Sequence, residues 1–335
     1  MDDPFITIVM PVRNEGTFIE KTLRMLIEQD YPKDRYEIIV TDGISDDDTP
    51  QKVRGLMGEG VHISLVENPS RLSSAGRNLG FKLGRGDIFL VVDGHCYIPT
   101  DQLLRNIVGC FQKSNADCLG RPQPLDPPGI NYFQKAVALA RGSRIGHSLS
   151  SHIYSDHEGY VSPVSHGAIY KRNVLQQVGF LDENFDACED VEFNYRVEKA
   201  GLRTYMSPGL TIKYYPRSRL RDLFRQMKRY GYGRARLMRK HHEAFSVQQI
   251  IPPLFFASLA VLLIFSPVLP LFRWGFIAFA GIYALTLTAV SARIAWRNGW
   301  RYLYMLPQIF TTIHLGMAYG FCEGWAKLLM GKRKR

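Results

Sequence analysis

The sequence predicts an α/β protein, a doubly wound parallel sheet followed by apolar helices at a membrane. Three observations predict it. Short apolar runs alternate with helix-period stretches over the first hundred residues, which is the pattern of βαβ units. Those runs stop at polar residues, as strands do where a ligand rim begins. After residue 216 the chain turns basic and then almost wholly apolar.

The elements follow in order. FITIVMP (5–11) is the first strand, and Arg13-Asn14-Glu15-Gly16 form its exit turn. FIEKTLRMLIEQ is amphipathic, with Ile19, Leu23, Met25 and Leu26 at helical spacing. EIIVTD (37–42) is a strand stopping at Asp42, and the turn residues from Gly43 to Thr49 lead to a helix from about Pro50. HISLVEN (62–68) is the third strand and Ser74 to Leu83 the next helix. IFLVVDGH is the fourth strand, running to Asp93. Asp93 and His95 are two apart and share a side where the strand stays extended. A carboxylate and an imidazole at a strand end suit a divalent cation, and Gly94 leaves room for a phosphate or metal at the backbone. By itself the triplet favours a plain strand-end turn, because Asp-Gly is a common turn pair.

Charge is unevenly placed. From Arg217 on there are nineteen Lys/Arg and three acids, an excess of +16; with +11 for the whole chain, residues 1–216 carry −5. A basic stretch beside apolar ones points to a membrane surface. An acidic first half excludes a nucleic-acid groove there. Five cysteines (Cys96, Cys110, Cys118, Cys188, Cys322) form no CxxC pair, so a reducing compartment is expected. No secretory signal is expected at the N-terminus.

Four stretches in order, MPVRNEG, VTDGISDDDT, AGRNLGFKLGRGD and FLVVDGH, resemble the opening of the family 2 glycosyltransferases. Further on, GAIYKRNVLQQVGFLDENFD resembles that family's acceptor-side segment and Cys188-Glu189-Asp190 its Glu-Asp motif. Gln226-Met227-Lys228-Arg229-Tyr230 resembles Gln-x-x-Arg-Trp, with Tyr for Trp. The resemblance spans roughly Phe5 to Tyr232 and is strongest to membrane-associated exopolysaccharide (succinoglycan-type) glucosyltransferases. It implies a GT-A (Rossmann-like), doubly wound mixed sheet at 1–216, a basic amphipathic interface segment at 217–245, and a membrane region of two to three helices at 246–335.

The resemblance also implies roles. Pro11, Arg13, Glu15, Asp42, Arg77 and Asp93 would bind the nucleotide sugar. Asp42 would accept the uracil ring NH, with Asp47 as the family's second acid, and Arg77 would pair with a phosphate or a rim carboxylate. Asp93 and His95 stand at Asp-x-Asp and would hold a divalent cation, Mn²⁺ or Mg²⁺, with His replacing the family's last Asp. Asp190, beside Glu189, would be the general base, its affinity for protons raised by Asp186, Glu189 and Glu192. Gln226, Arg229 and Tyr230 would close over acceptor and diphosphate, and His166 could line the acceptor pocket. The implied function is inverting transfer of a sugar, glucose first, from a UDP-sugar to a lipid-linked, polyprenyl-phosphate-type saccharide. The place is the cytoplasmic face of the bacterial inner membrane. A catalytically dead nucleotide-sugar-binding subunit is the competing reading, supported only by His95.

Ala244–Phe272, Trp274–Ala292 and Tyr302–Cys322 carry no charge. The first holds Pro252 and Pro253, so its helix is expected from about Pro253. Basic residues flank the stretches as the positive-inside rule asks if the first two cross and the third lies in the interface. Both termini are then cytoplasmic.

Overall fold

Ile6–Val12 pairs with a strand on either side: Ile6 stands opposite Tyr36 and opposite Ile88, in parallel register on both flanks. This is the seed of the sheet in the computed structural model, which describes residues 3–147, 151–165, 167–185, 187–244 and 247–331. Asp186, His166 and the basic C-terminal residues 332–335, on which the sequence places expectations, fall outside the described residues.

In chain order the elements are β1 (Ile6–Val12), α1 (Ile19–Ile27), β2 (Tyr36–Asp42), α2 (Thr49–Leu56), β3 (His62–Glu67) and α3 (Ser73–Leu83). Next come β4 (Ile88–Val91), β5 (Cys96–Tyr97), α4 (Leu103–Ser114), β6 (Cys118–Gly120), α5 (Tyr132–Arg141), β7 (Gly159–Val161) and β8 (Gly167–Lys171). They are followed by α6 (Arg172–Val178), α7 (Glu189–Lys199), β9 (Thr204–Met206), β10 (Lys213–Tyr214), α8 (Leu220–Lys240), α9 (Val247–Phe265), α10 (Pro270–Asn298) and α11 (Met305–Gly331).

The chain divides into two units. The first comprises Met1–Gly129 and Ser151–Tyr215, the second Ile130–Ser150 and Pro216–Arg335. The first is organised on a mixed sheet of order β3-β2-β1-β4-β8-β6-β9-β7, with β5 and β10 as a separate antiparallel pair. β1 to β4 are mutually parallel; β8 runs antiparallel to both β4 and β6. The carboxyl ends of β1, β2, β3, β4 and β6 therefore share one rim.

Alternation along β1 makes this sheet two-sided. Ile6, Ile8, Met10 and Val12 join Leu23, Leu26, Leu104 and Ile107 in one buried cluster, while Val9 joins Phe81, Phe89, Phe193 and Val197 in another. Period-2 side chains on a strand with helices on both faces give this result. A fully buried Ile or Leu contributes roughly 1.5–3 kcal/mol by leaving water, and ten of these thirteen residues are wholly buried.

Two sequence expectations are corrected here. The fourth strand ends at Val91, not at Asp93. Val92 is buried and its N–H still reaches the Val9 carbonyl, but ladder pairing has stopped; hydropathy reports burial, not pairing. And α9 begins at Val247, with Pro252 and Pro253 inside it. A proline pair removes two helical N–H donors without ending this helix.

The second unit is helical. Its core joins Ala136, Val137 and Ala140 of α5 to Leu223 and Met227 of α8, Leu287 of α10, and Leu306, Ile309, Phe310 and Ile313 of α11. α8 and α11 lie in close contact. A side-chain carbon on Gly320 would overlap the Lys228 carbonyl, and one on Gly231 the Met317 carbonyl. Gly316, Gly320 and Gly324 step every fourth residue along this seam, opposite Met227, Lys228 and Ala235; small residues at that spacing let helix backbones touch. Among the described residues one helix, Pro270–Asn298, is long and apolar enough to cross a membrane, and 11% of its most apolar window is buried. Ile250–Phe265 is a shorter apolar helix.

Candidate active site

The rim begins at Asp42, the last residue of β2, which is 6% exposed. Its carboxylate accepts from the Ser45 amide at 3.0 Å and the Ser45 hydroxyl at 2.5 Å. The Ser45 hydroxyl also accepts the Asn14 amide, and Asn14 Oδ1 accepts the Asp46 amide, so the loops after β1 and β2 are laced together. An ionised carboxylate has about four acceptor sites, and two of Asp42's are used within the protein. Pro11 stands beside Thr41 in the sheet, and Arg13, exposed, covers Gly43. Asp47 accepts from Thr49 through its amide and hydroxyl and from the Gly16 amide. Partial burial pushes its carboxyl up, but these hydrogen bonds outweigh that and hold it below the ordinary range. Asp47 is thus a loop cap.

The other half of the rim centres on Arg77 of α3, whose side chain is 13% exposed. Its Nη2 lies 3.8 Å from Asp93 and 3.6 Å from Glu189. Burial works against its charge, but Glu189, Asp93 and Asp190 more than compensate and hold the guanidinium above its usual range. Burial pushes the Glu189 carboxyl up, with Arg77 opposing and Asp190 adding to the rise. Cys188, in a left-handed turn with φ 61°, swings the chain into α7, placing Glu189 and Asp190 in its first turn. A cavity of about 60 Å³ opens between these elements. Arg77, Asp93, Arg121, Gln123, Asp190 and Tyr214 supply its polar and ring walls. Asp190 therefore faces Asp93 across one small space, whereas Glu189 is turned to Arg77. Glu192 does not join them: it is wholly buried against Arg196 at 3.0 Å, four residues along the helix.

Because β4 ends early, Asp93 and His95 do not share a strand face. Asp93 turns to Arg77, while His95 Nδ1 lies 2.7 Å from Glu15 Oε1. Phe18, Tyr214 and Tyr215 surround the pair: Phe18 lies 6.5 Å from the His95 ring and 4.9 Å from that of Tyr215, and Tyr214 meets His95 edge-on at 6.1 Å. The space beside Gly94 is taken by the Glu15 stem, whose Cγ would lie 2.9 Å from a Cβ there. The glycine thus admits Glu15 and not a ligand. No three His, Cys, Asp or Glu side chains among the described residues are grouped to cage an ion. Asp93 and His95 are thus turned to different partners, and a cation at this rim would need phosphate oxygens and water for most of its shell.

Gln226, Arg229 and Tyr230 lie on α8 in the second unit. Gln226 Nε2 donates to the Tyr230 hydroxyl at 3.3 Å, one helical turn on. The buried Arg141 guanidinium stands 6.0 Å from the Tyr230 ring centre. Arg229 is exposed. Arg121 and Gln123 were missed in the sequence reading: they follow a three-residue strand, too short to register as an apolar run.

Two family models match the chain, glycosyl transferase family 2 over residues 7–179 and glycosyl transferase family group 2 over residues 96–320. The succinoglycan biosynthesis protein ExoA of Rhizobium meliloti (strain 1021) is 30% identical over 98% of this chain and 96% of its own. A second relative, from Methanococcus voltae, is a dolichyl N-acetyl-alpha-D-glucosaminyl phosphate 3-beta-D-2,3-diacetamido-2,3-dideoxy-beta-D-glucuronosyltransferase. It is 27% identical over 96% of this chain and 98% of its own. Among solved structures, the mannosyltransferase PcManGT from Pyrobaculum calidifontis, in complex with GDP-Man and Mn²⁺, has a TM-score of 0.62. The match covers 96% of this chain and 87% of that chain at 18% identity, a likeness of fold.

Proposed function

Because the chain belongs to glycosyl transferase family 2, we propose that it transfers a sugar, glucose first, from a UDP-sugar to a lipid-linked saccharide with inversion. The setting is exopolysaccharide or cell-surface glycan synthesis at the cytoplasmic face of a bacterial inner membrane. The observation that carries this reading is Arg77, which ties the donor-side Asp93 to the start of α7, so that Asp190 faces Asp93 across one cavity. Asp190 takes the proton of the acceptor hydroxyl as that oxygen bonds to the anomeric carbon, while the bond from that carbon to the diphosphate breaks and UDP leaves. Glu189 positions Arg77. Asp42 accepts the uracil NH at the far end of the rim, with Pro11, Arg13 and Glu15 along the nucleoside. A divalent cation held by Asp93 and His95 would neutralise charge on the diphosphate. Gln226, Arg229 and Tyr230 serve the acceptor and diphosphate.

A lipid-linked acceptor of the polyprenyl-phosphate type is supported by the dolichyl-phosphate acceptor in the M. voltae relative's name. It is also supported by the apolar surface of α10. The basic α8 suits the anionic cytoplasmic leaflet. The test is incubation of membranes bearing the protein with radiolabelled UDP-sugars, followed by lipid extraction. Label from UDP-glucose should enter the lipid fraction; label entering only from GDP-sugars would refute the uridine donor.

A further inference from the structure

Arg121 follows β6 at the same rim, and is 2% exposed. Its Nη2 donates to the Val91 carbonyl at 3.0 Å and to the Tyr214 hydroxyl at 2.8 Å. The Tyr214 ring lies 5.5 Å from the guanidinium carbon. Two of its three nitrogens, Nε and Nη1, are buried with no acceptor among the described residues. No carboxylate among those residues makes an ion pair with it, whereas Arg77, the other cation of the cavity wall, has two within 4 Å. A guanidinium is always charged. Asp93 acts on it only through space; burying a guanidinium with no carboxylate in contact costs several kcal/mol, and its idle donors add to that. Val91 and Tyr214 fix the group in place, and it lines the cavity between Asp93 and Asp190. A site that holds a clamped cation with idle donors and no carboxylate in contact against a small polar cavity suits an anionic oxygen from outside the chain.

We propose that Arg121 binds the donor, a hydrogen on one of its idle nitrogens, Nε or Nη1, going to an oxyanion of the sugar nucleotide. The source is either a diphosphate oxygen or a carboxylate on the transferred sugar. This rests on the donor reading above and goes beyond it, because the second source would replace glucose by a uronate.

The test is calorimetric titration of the full chain in detergent with UDP, UDP-glucose and UDP-glucuronate, and with GDP and GDP-mannose. Arg121→Gln removes the charge. If the diphosphate is the source, the variant binds every diphosphate ligand at least about tenfold more weakly, the effect of losing a charged hydrogen bond. If the sugar carboxylate is the source, the wild type prefers UDP-glucuronate to UDP-glucose by about tenfold or more, and the variant loses only that preference. Binding of every ligand within twofold of wild type overturns the proposal. Should Arg121→Gln fail to fold by circular dichroism, Arg121→Lys decides: it keeps the charge on one nitrogen and should lose several-fold in affinity, and unchanged affinity overturns the proposal. Wild-type binding in the guanosine series alone would refute the UDP donor, and Arg121 would then be judged on GDP and GDP-mannose.

Discussion

Glu189 and Asp190 are adjacent in sequence and differ in surroundings: one is buried against Arg77, the other looks into the cavity. That difference is the ground on which Asp190, not Glu189, is proposed as the base. Asp190→Asn is expected to lower transfer by at least about a hundredfold, the low end of general-base effects, while UDP affinity stays near wild type; turnover close to wild type would remove Asp190 from that role. At His95 the cation preference is the readout. Imidazole suits transition metals, and Mg²⁺ prefers all-oxygen shells, so Mn²⁺ should support transfer better than Mg²⁺. A Mg²⁺ preference would take His95 out of the ligand set, and activity surviving exhaustive EDTA would dismiss the cation altogether. At this scale the sequence was legible where an apolar run ends on a polar residue, as for Asp42, the last residue of β2, but it carried the fourth strand two residues too far, to Asp93. It was silent on Arg121, and it could not show that Glu15 would occupy the space beside Gly94, because both depend on what lies across the rim.

Elements were legible where periodicity was strong. Alternation in β1 and helical spacing in α1 follow from burial on a fixed face. Pairing direction was not legible beyond β4: nothing in GAIYK marks β8 as antiparallel to both neighbours. The α8–α11 seam likewise needed the structure, since glycines four apart become a contact only when a partner is beside them. Gly320→Leu should force the two helices apart and lower stability by about 1–3 kcal/mol or more, read as a reduced thermal midpoint in detergent. Gly281→Leu on α10, where a side chain would meet nothing within 4 Å, is the control and should change little. Equal losses in both would remove the seam as a special contact.

For the whole molecule, the proposed membrane arrangement has α9 and α10 crossing and α11 lying against α8, which would leave both termini cytoplasmic. Alkaline phosphatase fused to the C-terminus, which is active only when exported, should therefore be inactive; an active fusion would show an odd number of crossings. The two units also have a consequence in time. α5 is translated inside the first unit's sequence, yet its Ala136, Val137 and Ala140 are buried with Leu306 and Phe310. About 170 residues separate Ala136 from Leu306, roughly 10–30 s of synthesis at about 5–20 residues per second. During that interval α5 has no completed core to enter, and a chain cut after residue 216 would stay in that condition permanently. A fragment limited to the first unit therefore omits residues 130–150 as well as 216–335.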